Sequence, residues 1–418
     1  MERRSIEVCA DWSGLRGATA MGVLHATPSR GKEVFSFEYD DAWLASDRAQ
    51  ILDPALRLHA GPQFAASGRE TFGVFLDSSP DRWGRLLLQR REALRAREEG
   101  RKPRALLELD YLLGVYDGHR LGGLRFRQEE GSAFLDDDAA LASPPWTSLR
   151  ELEEASLALE RDGAEDDPSY RKWLRVLLAP GRSLGGARPK ASVVDPNGRL
   201  WIAKFPSRND PEDIGAWEDV VHRLAGRAGI VTAESSAKRF GAEHHTFLTR
   251  RFDRDDQQQR LHFASAVTLL EREDGEDGAS YLHLAEFLAQ QGAHAARDLE
   301  QLWRRIVFFM CVSNVDDHLR NHGFLLDPPG WSLSPAYDMN PVATAGGLTL
   351  NVSEMDNAQD LELAREVAPH FRIPGRRGSE IIREVRSVVR TWRAEAAEAG
   401  LSRAAIDRMA GAFHVAES

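Results

Sequence analysis

The sequence predicts an α+β fold in which a small β-rich lobe is followed by a helical lobe, with an additional α/β domain at the N-terminus. Short β-prone runs separated by Gly, Pro and Ser turns occur early in the chain, for example at residues 21–24 and 34–39. Two further β-prone runs flank the turn signal at residues 195–198, a pattern typical of a hairpin. From about residue 262 the apolar residues recur with helical spacing.

Each part of this fold has a predicted extent. With 418 residues the chain is too long for one compact core, so two or three units are expected. Residues 1–130 are predicted to form the mixed N-terminal domain, and 131–147 a polar, proline-containing linker. Residues 148–255 form the predicted β-rich lobe, and residues 256–418 form a lobe that we expect to be all-helical.

Composition excludes several classes of protein. The formal net charge is −11, which argues against a surface devoted to coating nucleic acid or an anionic membrane. The N-terminus lacks the apolar stretch of a signal peptide, and no uncharged run approaches membrane-spanning length. We therefore expect a cytoplasmic protein without a membrane partner. Cys9 and Cys311 lie far apart in apolar sequence, which favours two buried thiols over a disulfide.

The segment 314–321 contains the most informative pair of residues. It follows the apolar run 306–312 and places Asp316 five positions before Asn321. Phosphoryl transfer uses such a pair, because one carboxylate orients the attacking hydroxyl while an amide oxygen holds a metal ion on the nucleotide phosphates. His318 lies between the two residues, and we assign it either a contact with phosphate or a structural role in the loop.

A second acidic residue follows at a suitable distance along the chain. Residues 331–333 are predicted to form a short strand, and Asp338 lies just beyond it. Kinases hold Mg²⁺ with an aspartate in this place after the catalytic loop. We therefore predict that Asp338 binds metal together with Asn321, and that the adjacent Tyr337 contributes to nucleotide binding.

A glycine-containing segment precedes the predicted hairpin. Adjacent glycines let backbone amides approach phosphate oxygens closely, and flanking cations add attraction. Lys204, late in the second strand, is placed to reach nucleotide phosphates as the strand lysine of kinases does. A hinge strand is expected at residues 246–253. The residues assigned to nucleotide binding in these segments are Gly185, Gly186, Ala187, Arg188, Pro189, Lys190, Arg250, Arg251 and Phe252. Together with the loop at 314–321, they predict a bilobal, protein-kinase-like fold.

Several of these segments resemble a known family. The similar segments are residues 185–190, 251–254, 316–324 and 336–338, with 22–24 and 37–40 in the N-terminal part. The chain resembles the HipA family of bacterial toxin kinases, most specifically at 316–324. The resemblance implies a serine/threonine protein kinase fold that uses ATP and Mg²⁺. It also implies a partner antitoxin of the HipB type with a helix-turn-helix, so that contact with DNA would be indirect. Family members modify translation factors, notably aminoacyl-tRNA synthetases.

The resemblance also implies individual roles. Asp316 would be the catalytic aspartate, Asn321 and Asp338 the metal ligands, and Lys204 the phosphate-binding lysine. Ser183 matches the position at which the family autophosphorylates, an event that expels the glycine loop and inactivates the kinase. The glycine loop carries one glycine more here than in the best-known member, which suggests another branch of the family.

Three other functions stay open from sequence alone. The first is a metal-dependent phosphohydrolase that uses Asp316, Asp317, His318 and His322. The second is a catalytically weak co-repressor module, and the third is a small-molecule or lipid kinase, suggested by the Asp-x-His order. Only Asp316 has the five-residue offset to Asn321, so we expect its neighbour Asp317 to tolerate change.

Overall fold

The chain forms two compact units. One comprises Met1–Arg208 with Asp253–Ala264, and the other comprises Asn209–Phe252 with Ser265–Ser418. The structure, a computed structural model, describes residues 3–66, 68–136, 143–178, 188–273, 275–344 and 346–418. The first break between these units, after residue 208, lies inside the predicted lobe 148–255, and the predicted bounds of the lobes stay a prediction. The predictions for Ser183, Gly185, Gly186 and Ala187 concern residues outside the described ranges.

The first unit contains an antiparallel sheet of five strands in the order β4-β3-β2-β1-β5. These strands are β1 Arg4–Ala10, β2 Thr19–Ser29, β3 Lys32–Tyr39, β4 Gln63–Phe64 and β5 Leu124–Arg127. Ile6 pairs with Leu24, and both side chains are buried. A Cβ at Gly22 would lie 2.3 Å from the carbonyl oxygen of Glu38, so glycine is what permits the close approach of β3.

Helices accompany this sheet in the first unit. Their bounds are α1 Asp41–Leu44, α2 Gly73–Asp77, α3 Arg82–Glu98, α4 Glu108–Leu113, α5 Leu149–Leu159 and α6 Tyr170–Leu178. Helix α3, with 17 residues, is the longest of these six. Asp81 caps its N-terminus, since the carboxylate accepts a hydrogen bond of 2.8 Å from the amide of Gly84. Leu87 and Leu88 supply its buried face.

The predicted hairpin also lies in the first unit and is confirmed. Strand β6 covers Lys190–Val194 and strand β7 covers Leu200–Lys204, with the turn at 195–198 between them. The two strands pair antiparallel, and the register places Lys190 opposite Lys204. The turn is closed by Asp195, whose carboxylate accepts from the amides of Asn197 and Arg199.

The second unit is mainly helical. Its helices are α7 Ile214–Arg227, α8 Ala266–Leu269, α9 Tyr281–Gln291, α10 Ala295–Val312, α11 Leu361–Val367, α12 Gly375–Val389, α13 Trp392–Glu398, α14 Arg403–Met409 and α15 His414–Glu417. Helix α10 is central and packs against α9 and α12. The rings of Trp392 and Phe413 stack at 4.1 Å between centroids, and Trp217 of α7 lies against both.

The second unit also contains strands, and those beyond residue 256 correct the prediction that residues 256–418 are all-helical. Strands β8 Ser235–Lys238 and β9 Thr246–Arg250 form one antiparallel hairpin. Strands β11 Gly323–Asp327 and β12 Gly330–Leu333 form another, directly after the segment 314–321. Strand β10, Phe263–Ser265, lies at the boundary of the two units in the sequence. The second hairpin pairs Phe324 with Leu333, and both side chains are buried.

Two expectations from composition can be compared with the structure. Within the described residues, no helix combines the length and the hydropathy that a membrane span would require. Cys9 and Cys311 are free and buried, as predicted. Burial raises the pKa of the Cys9 thiol to about 11 and that of the Cys311 thiol to about 12.

Candidate functional site

The candidate site lies in the second unit, at the point where α10 ends. Seven successive residues of this helix, Ile306–Val312, are buried. Ser313 then adopts the left-handed conformation with φ 47°, which stops the helix. The backbone carbonyl of Ser313 accepts from the amide of Val342 at 3.1 Å. The loop 314–321 therefore leaves a rigid, buried helix in a fixed direction.

The loop joins the predicted catalytic aspartate to the predicted metal ligand. The side-chain amide of Asn321 donates from Nδ2 to the carbonyl oxygen of Asp316 at 3.1 Å. The backbone amide of Asn321 donates to the carbonyl of His318 at 2.8 Å. Asp316 itself is exposed, whereas Asn321 is buried. Because Nδ2 is occupied, Oδ1 of Asn321 is the side-chain atom suited to accept a metal ion.

The segment that carries Asp338 is attached to both ends of this loop. The Tyr337 hydroxyl donates to the carbonyl of Arg320 at 2.7 Å. The amide of Asn340 donates to Oδ1 of Asn314 at 2.9 Å. Asp338 lies in the sequence between the two residues that make these hydrogen bonds, and its backbone φ is 58°. A non-glycine residue in this conformation is strained, and such strain is concentrated at functional sites. The structure thus brings Asp338 to the loop that holds Asp316 and Asn321.

Asp317 has a structural environment that the sequence did not reveal. Its side chain is 1% exposed. Oδ2 accepts from the Tyr281 hydroxyl at 2.6 Å and lies 2.8 Å from Nε2 of His322. Burial, with Asp317 beside it, raises the pKa of Tyr281. These contacts argue against the expectation that Asp317 tolerates change, since its carboxylate joins the loop to α9 and to the residue before β11.

The phosphohydrolase alternative is not supported by this arrangement. It requires Asp317 and His322 to face a metal together with Asp316 and His318. In the structure, Asp317 and His322 are buried, and a hydrogen bond joins their side chains, while Asp316 is exposed. No cluster of three or more His, Cys, Asp or Glu side chains suited to a metal ion occurs among the described residues. Asn321 and Asp338 instead offer the hard oxygen ligands that Mg²⁺ prefers.

His318 occupies the middle of the loop and is half-buried. Its Nδ1 is buried and has no hydrogen-bond partner among the described residues. Buried polar atoms are normally satisfied, so an exception of this kind in a candidate site is consistent with a ligand contact. The role of His318 stays a prediction.

The predicted hinge residues lie at the end of strand β9: Arg250 is its last residue, and Arg251 and Phe252 follow it. Arg250 is partly exposed and Arg251 is buried. The ring of Phe252 lies 5.5 Å from the ring of Tyr337, between centroids. The structure therefore brings Phe252 to the segment of Asp338.

Four further predicted residues lie in the first unit. Lys204 ends β7 and is partly exposed, Arg188 is partly exposed, and Pro189 is buried. Lys190 is only 2% exposed, and its ammonium lies 2.6 Å from Oδ2 of Asp81. The side chain of Lys190 is therefore already engaged by a carboxylate, and its predicted contact with phosphate stays a prediction.

Comparison with known proteins identifies the family. The sequence profile described as the HipA-like C-terminal domain matches residues 182–392, half of the chain. The profile described as the HipA N-terminal domain matches residues 16–108. The chain belongs to the HipA family. The resemblance inferred from the segments at 185–190 and 316–324 is thus confirmed.

Two individual proteins extend the comparison. One is a chain of a solved complex from Shewanella oneidensis MR-1, a toxin–antitoxin system of HipA, HipB and operator DNA. It matches this chain with a TM-score of 0.64 and 16% sequence identity, and the match covers 98% of this chain and 95% of that one. At that identity the likeness is one of fold. A Haemophilus influenzae protein described as a candidate kinase is 26% identical over 184 residues, which are 39% of this chain and 53% of that protein. The chain therefore matches about half the length of this curated relative.

Proposed function

We propose that this HipA-family protein is an ATP-dependent protein kinase that transfers the γ-phosphate to a serine or threonine of another protein. The main support is the arrangement in the second unit. Asp316 is exposed, Asn321 is held beside it, and the strained Asp338 segment is hydrogen-bonded to both ends of the same loop. An exposed carboxylate beside two oxygen ligands is the set of groups that phosphoryl transfer requires.

Each residue has a role in this proposal. Asp316 orients the acceptor hydroxyl and takes its proton. Asn321, through Oδ1, and Asp338, through its carboxylate, would hold Mg²⁺, which when bound neutralises charge on the nucleotide phosphates. Lys204 and the segment 185–190 bind those phosphates, and Arg250, Arg251 and Phe252 contact the nucleotide. His318 contacts phosphate, which would satisfy its buried Nδ1.

The proposed setting follows from the relatives. The Shewanella oneidensis complex contains HipB and operator DNA. We propose that this chain likewise acts as the toxin of a cytoplasmic toxin–antitoxin pair, binding an antitoxin of the HipB type and reaching DNA only through it. The proposed acceptor is a component of translation, such as an aminoacyl-tRNA synthetase, whose modification arrests growth.

Replacing Asp338 by alanine tests the metal site. The change removes a carboxylate ligand, so we expect Mg²⁺-dependent ATP binding to weaken at least tenfold, which is about 1.4 kcal/mol. Binding without Mg²⁺ should change little. Titration calorimetry with and without the metal makes the comparison. Asp356→Ala, an exposed aspartate outside the candidate site, is the control. Equal loss of ATP affinity in both conditions would contradict a metal role for Asp338.

Replacing Ser183 by alanine tests the autophosphorylation site. The purified wild-type protein, incubated with ATP and Mg²⁺, should incorporate phosphate that tryptic mass spectrometry places at Ser183. The Ser183→Ala protein should incorporate far less and should retain transfer to other proteins for longer, because inactivation by loop release is prevented. Incorporation at the wild-type stoichiometry in the Ser183→Ala protein would refute the assignment.

A further inference from the structure

Helix α10 contains a buried arginine that the proposed chemistry does not use. Arg305 is 1% exposed, and its Nη2 donates to the backbone carbonyl of Ser334, which is also buried. Its Nε is buried and has no hydrogen-bond partner among the described residues. An apolar side chain could fill such a place at lower cost, because a buried guanidinium loses the water that would solvate its charge. The cation at Arg305 therefore points to a function.

The charge of Arg305 is balanced mainly from the candidate loop. Burial lowers the pKa of the Arg305 guanidinium to about 10, which leaves it cationic at neutral pH. The carboxylate of Asp317 gives the largest opposing contribution to this pKa, and Asp298 gives a smaller one. Asp317 directly follows Asp316 in the sequence. Arg305 is thus coupled electrostatically to the loop that carries the proposed catalytic aspartate.

Side chains of α10 hold the end of β12 at two successive residues. Oδ2 of Asp298 accepts from the amide of Leu333 at 3.0 Å, and Arg305 donates to the carbonyl of Ser334. Asp298 and Arg305 are seven residues apart, which places them on the same face of the helix. The amide of Ser334 donates to the carbonyl of Gly323 at 2.9 Å. The end of β12 is therefore fixed both by α10 and by the neighbouring strand.

The residues held in this way lead to Asp338. Ser334 is four positions before it, and between them the amide of Ala336 donates to the carbonyl of Val231 at 2.8 Å. Asp338 has a positive φ of 58°. A strained residue keeps its conformation only where the surrounding structure determines it. The contact of Arg305 with Ser334 is one of the interactions that determine this segment.

We propose that Arg305 is a positioning residue for the metal ligand Asp338, an inference that rests on the proposed function. Its guanidinium holds the carbonyl of Ser334 and is balanced by the carboxylate of Asp317. One buried side chain of α10 thereby sets the Asp338 segment relative to the loop that carries Asp316. In this account Arg305 acts on the metal through Asp338 and not by direct contact.

Two successive arginines of α10 offer a matched comparison. Arg305→Met removes the guanidinium and keeps a long, flexible side chain. Arg304→Met is the control, because Arg304 is also buried but donates to the carbonyl of Ala228 and to Glu384. Its loss should lower stability without acting on the Asp338 segment. Arg305→Lys keeps the charge and a donor but lacks the forked guanidinium, so its effect should be smaller.

The first measurement is the dissociation constant of ATP with and without Mg²⁺, by calorimetry at a temperature at which all variants are folded. We expect Arg305→Met to weaken Mg²⁺-ATP binding about fivefold and Arg305→Lys about threefold, with metal-free binding within about twofold of wild type. Arg304→Met and Arg304→Lys should bind as wild type does. In the Asp338→Ala protein, adding Arg305→Met should change binding by less than about twofold, because the two residues act as a unit.

Three results of this measurement would overturn the proposal. They are wild-type affinity for Mg²⁺-ATP in Arg305→Met, equal weakening with and without the metal, and a full further loss when Arg305→Met is added to Asp338→Ala. If Arg305→Met does not fold, Arg305→Lys is compared with Arg304→Lys by the same criteria.

A second measurement needs neither nucleotide nor metal. Hydrogen exchange of peptides that cover residues 331–339, followed by mass spectrometry, reports how firmly the Asp338 segment is held. We expect this segment to exchange about tenfold faster in Arg305→Met and at the wild-type rate in Arg304→Met. Wild-type exchange in Arg305→Met would overturn the proposal. Failure of the wild-type protein to bind Mg²⁺-ATP would instead count against the proposed function, and the exchange comparison would still decide whether Arg305 holds this segment.

Discussion

Phosphate transfer from ATP to a protein acceptor is expected to fall by about 10²–10⁴ when Asp316 is replaced by asparagine, the range that general-base assistance supplies. Asparagine has nearly the same shape but cannot accept the proton of the acceptor hydroxyl. Asp316 is exposed, and its backbone carbonyl, which Asn321 contacts, is unaffected by the change. Initial rates of label transfer under saturating Mg²⁺-ATP provide the measurement.

The binding of ATP separates this effect from a general loss of the site. Asn321 and Asp338 are unchanged in the Asp316→Asn protein, so the dissociation constant of Mg²⁺-ATP should stay near the wild-type value. The melting temperature should also be preserved, because substitutions at exposed positions usually change stability by no more than about 0.5 kcal/mol. Normal transfer rates in the Asp316→Asn protein would remove Asp316 from the proposed chemistry.

The adjacent aspartate should behave in the opposite way, with its largest effect on stability. Asp317→Ala leaves the Tyr281 hydroxyl and Nε2 of His322 buried without their acceptor. Breaking a buried charged network by removing one partner costs about 3–5 kcal/mol. Urea unfolding of the wild type, Asp317→Ala and Asp316→Ala compares the two neighbours directly. We expect the loss in unfolding free energy to be confined to Asp317→Ala.

Activity should also be reduced in the Asp317→Ala protein, because the loop would lose its attachment to Tyr281 of α9. The Tyr281→Phe protein is a useful companion, since it removes only one of the two donors and should lose about 1–3 kcal/mol. An Asp317→Ala protein as stable as Asp316→Ala would contradict the structural role that burial and hydrogen bonding assign to Asp317.

The order of the elements could be predicted from the sequence because it depends on local patterns. The β-prone runs and turn residues around 195–198 predicted β6 and β7, and helical spacing from about residue 262 predicted α9 and α10. The offset between Asp316 and Asn321 predicted the loop, because it joins residues that are neighbours along the chain. In each case the determining interactions span only a few residues.

The contacts that the sequence did not reveal join distant residues. Asp317 meets Tyr281, 36 residues away, and Lys190 meets Trp83, 107 residues away. No local periodicity predicts such pairs. From the sequence we therefore expected Asp317 to tolerate change and Lys190 to bind nucleotide. The composition of the compact units could not be predicted for the same reason, since compactness depends on contacts between segments as separate as Met1–Arg208 and Asp253–Ala264.

The measurement that tests the proposed function most directly is transfer of labelled γ-phosphate from ATP. The purified protein and its Asp316→Asn variant are each incubated with Mg²⁺-ATP and a bacterial lysate from which small molecules have been removed. We predict that the wild type labels a protein band on serine or threonine, and that the band is nearly absent with the variant and with chelated Mg²⁺. Equal labelling by both proteins, or label only in small-molecule acceptors when these are restored, would contradict a protein kinase that uses Asp316.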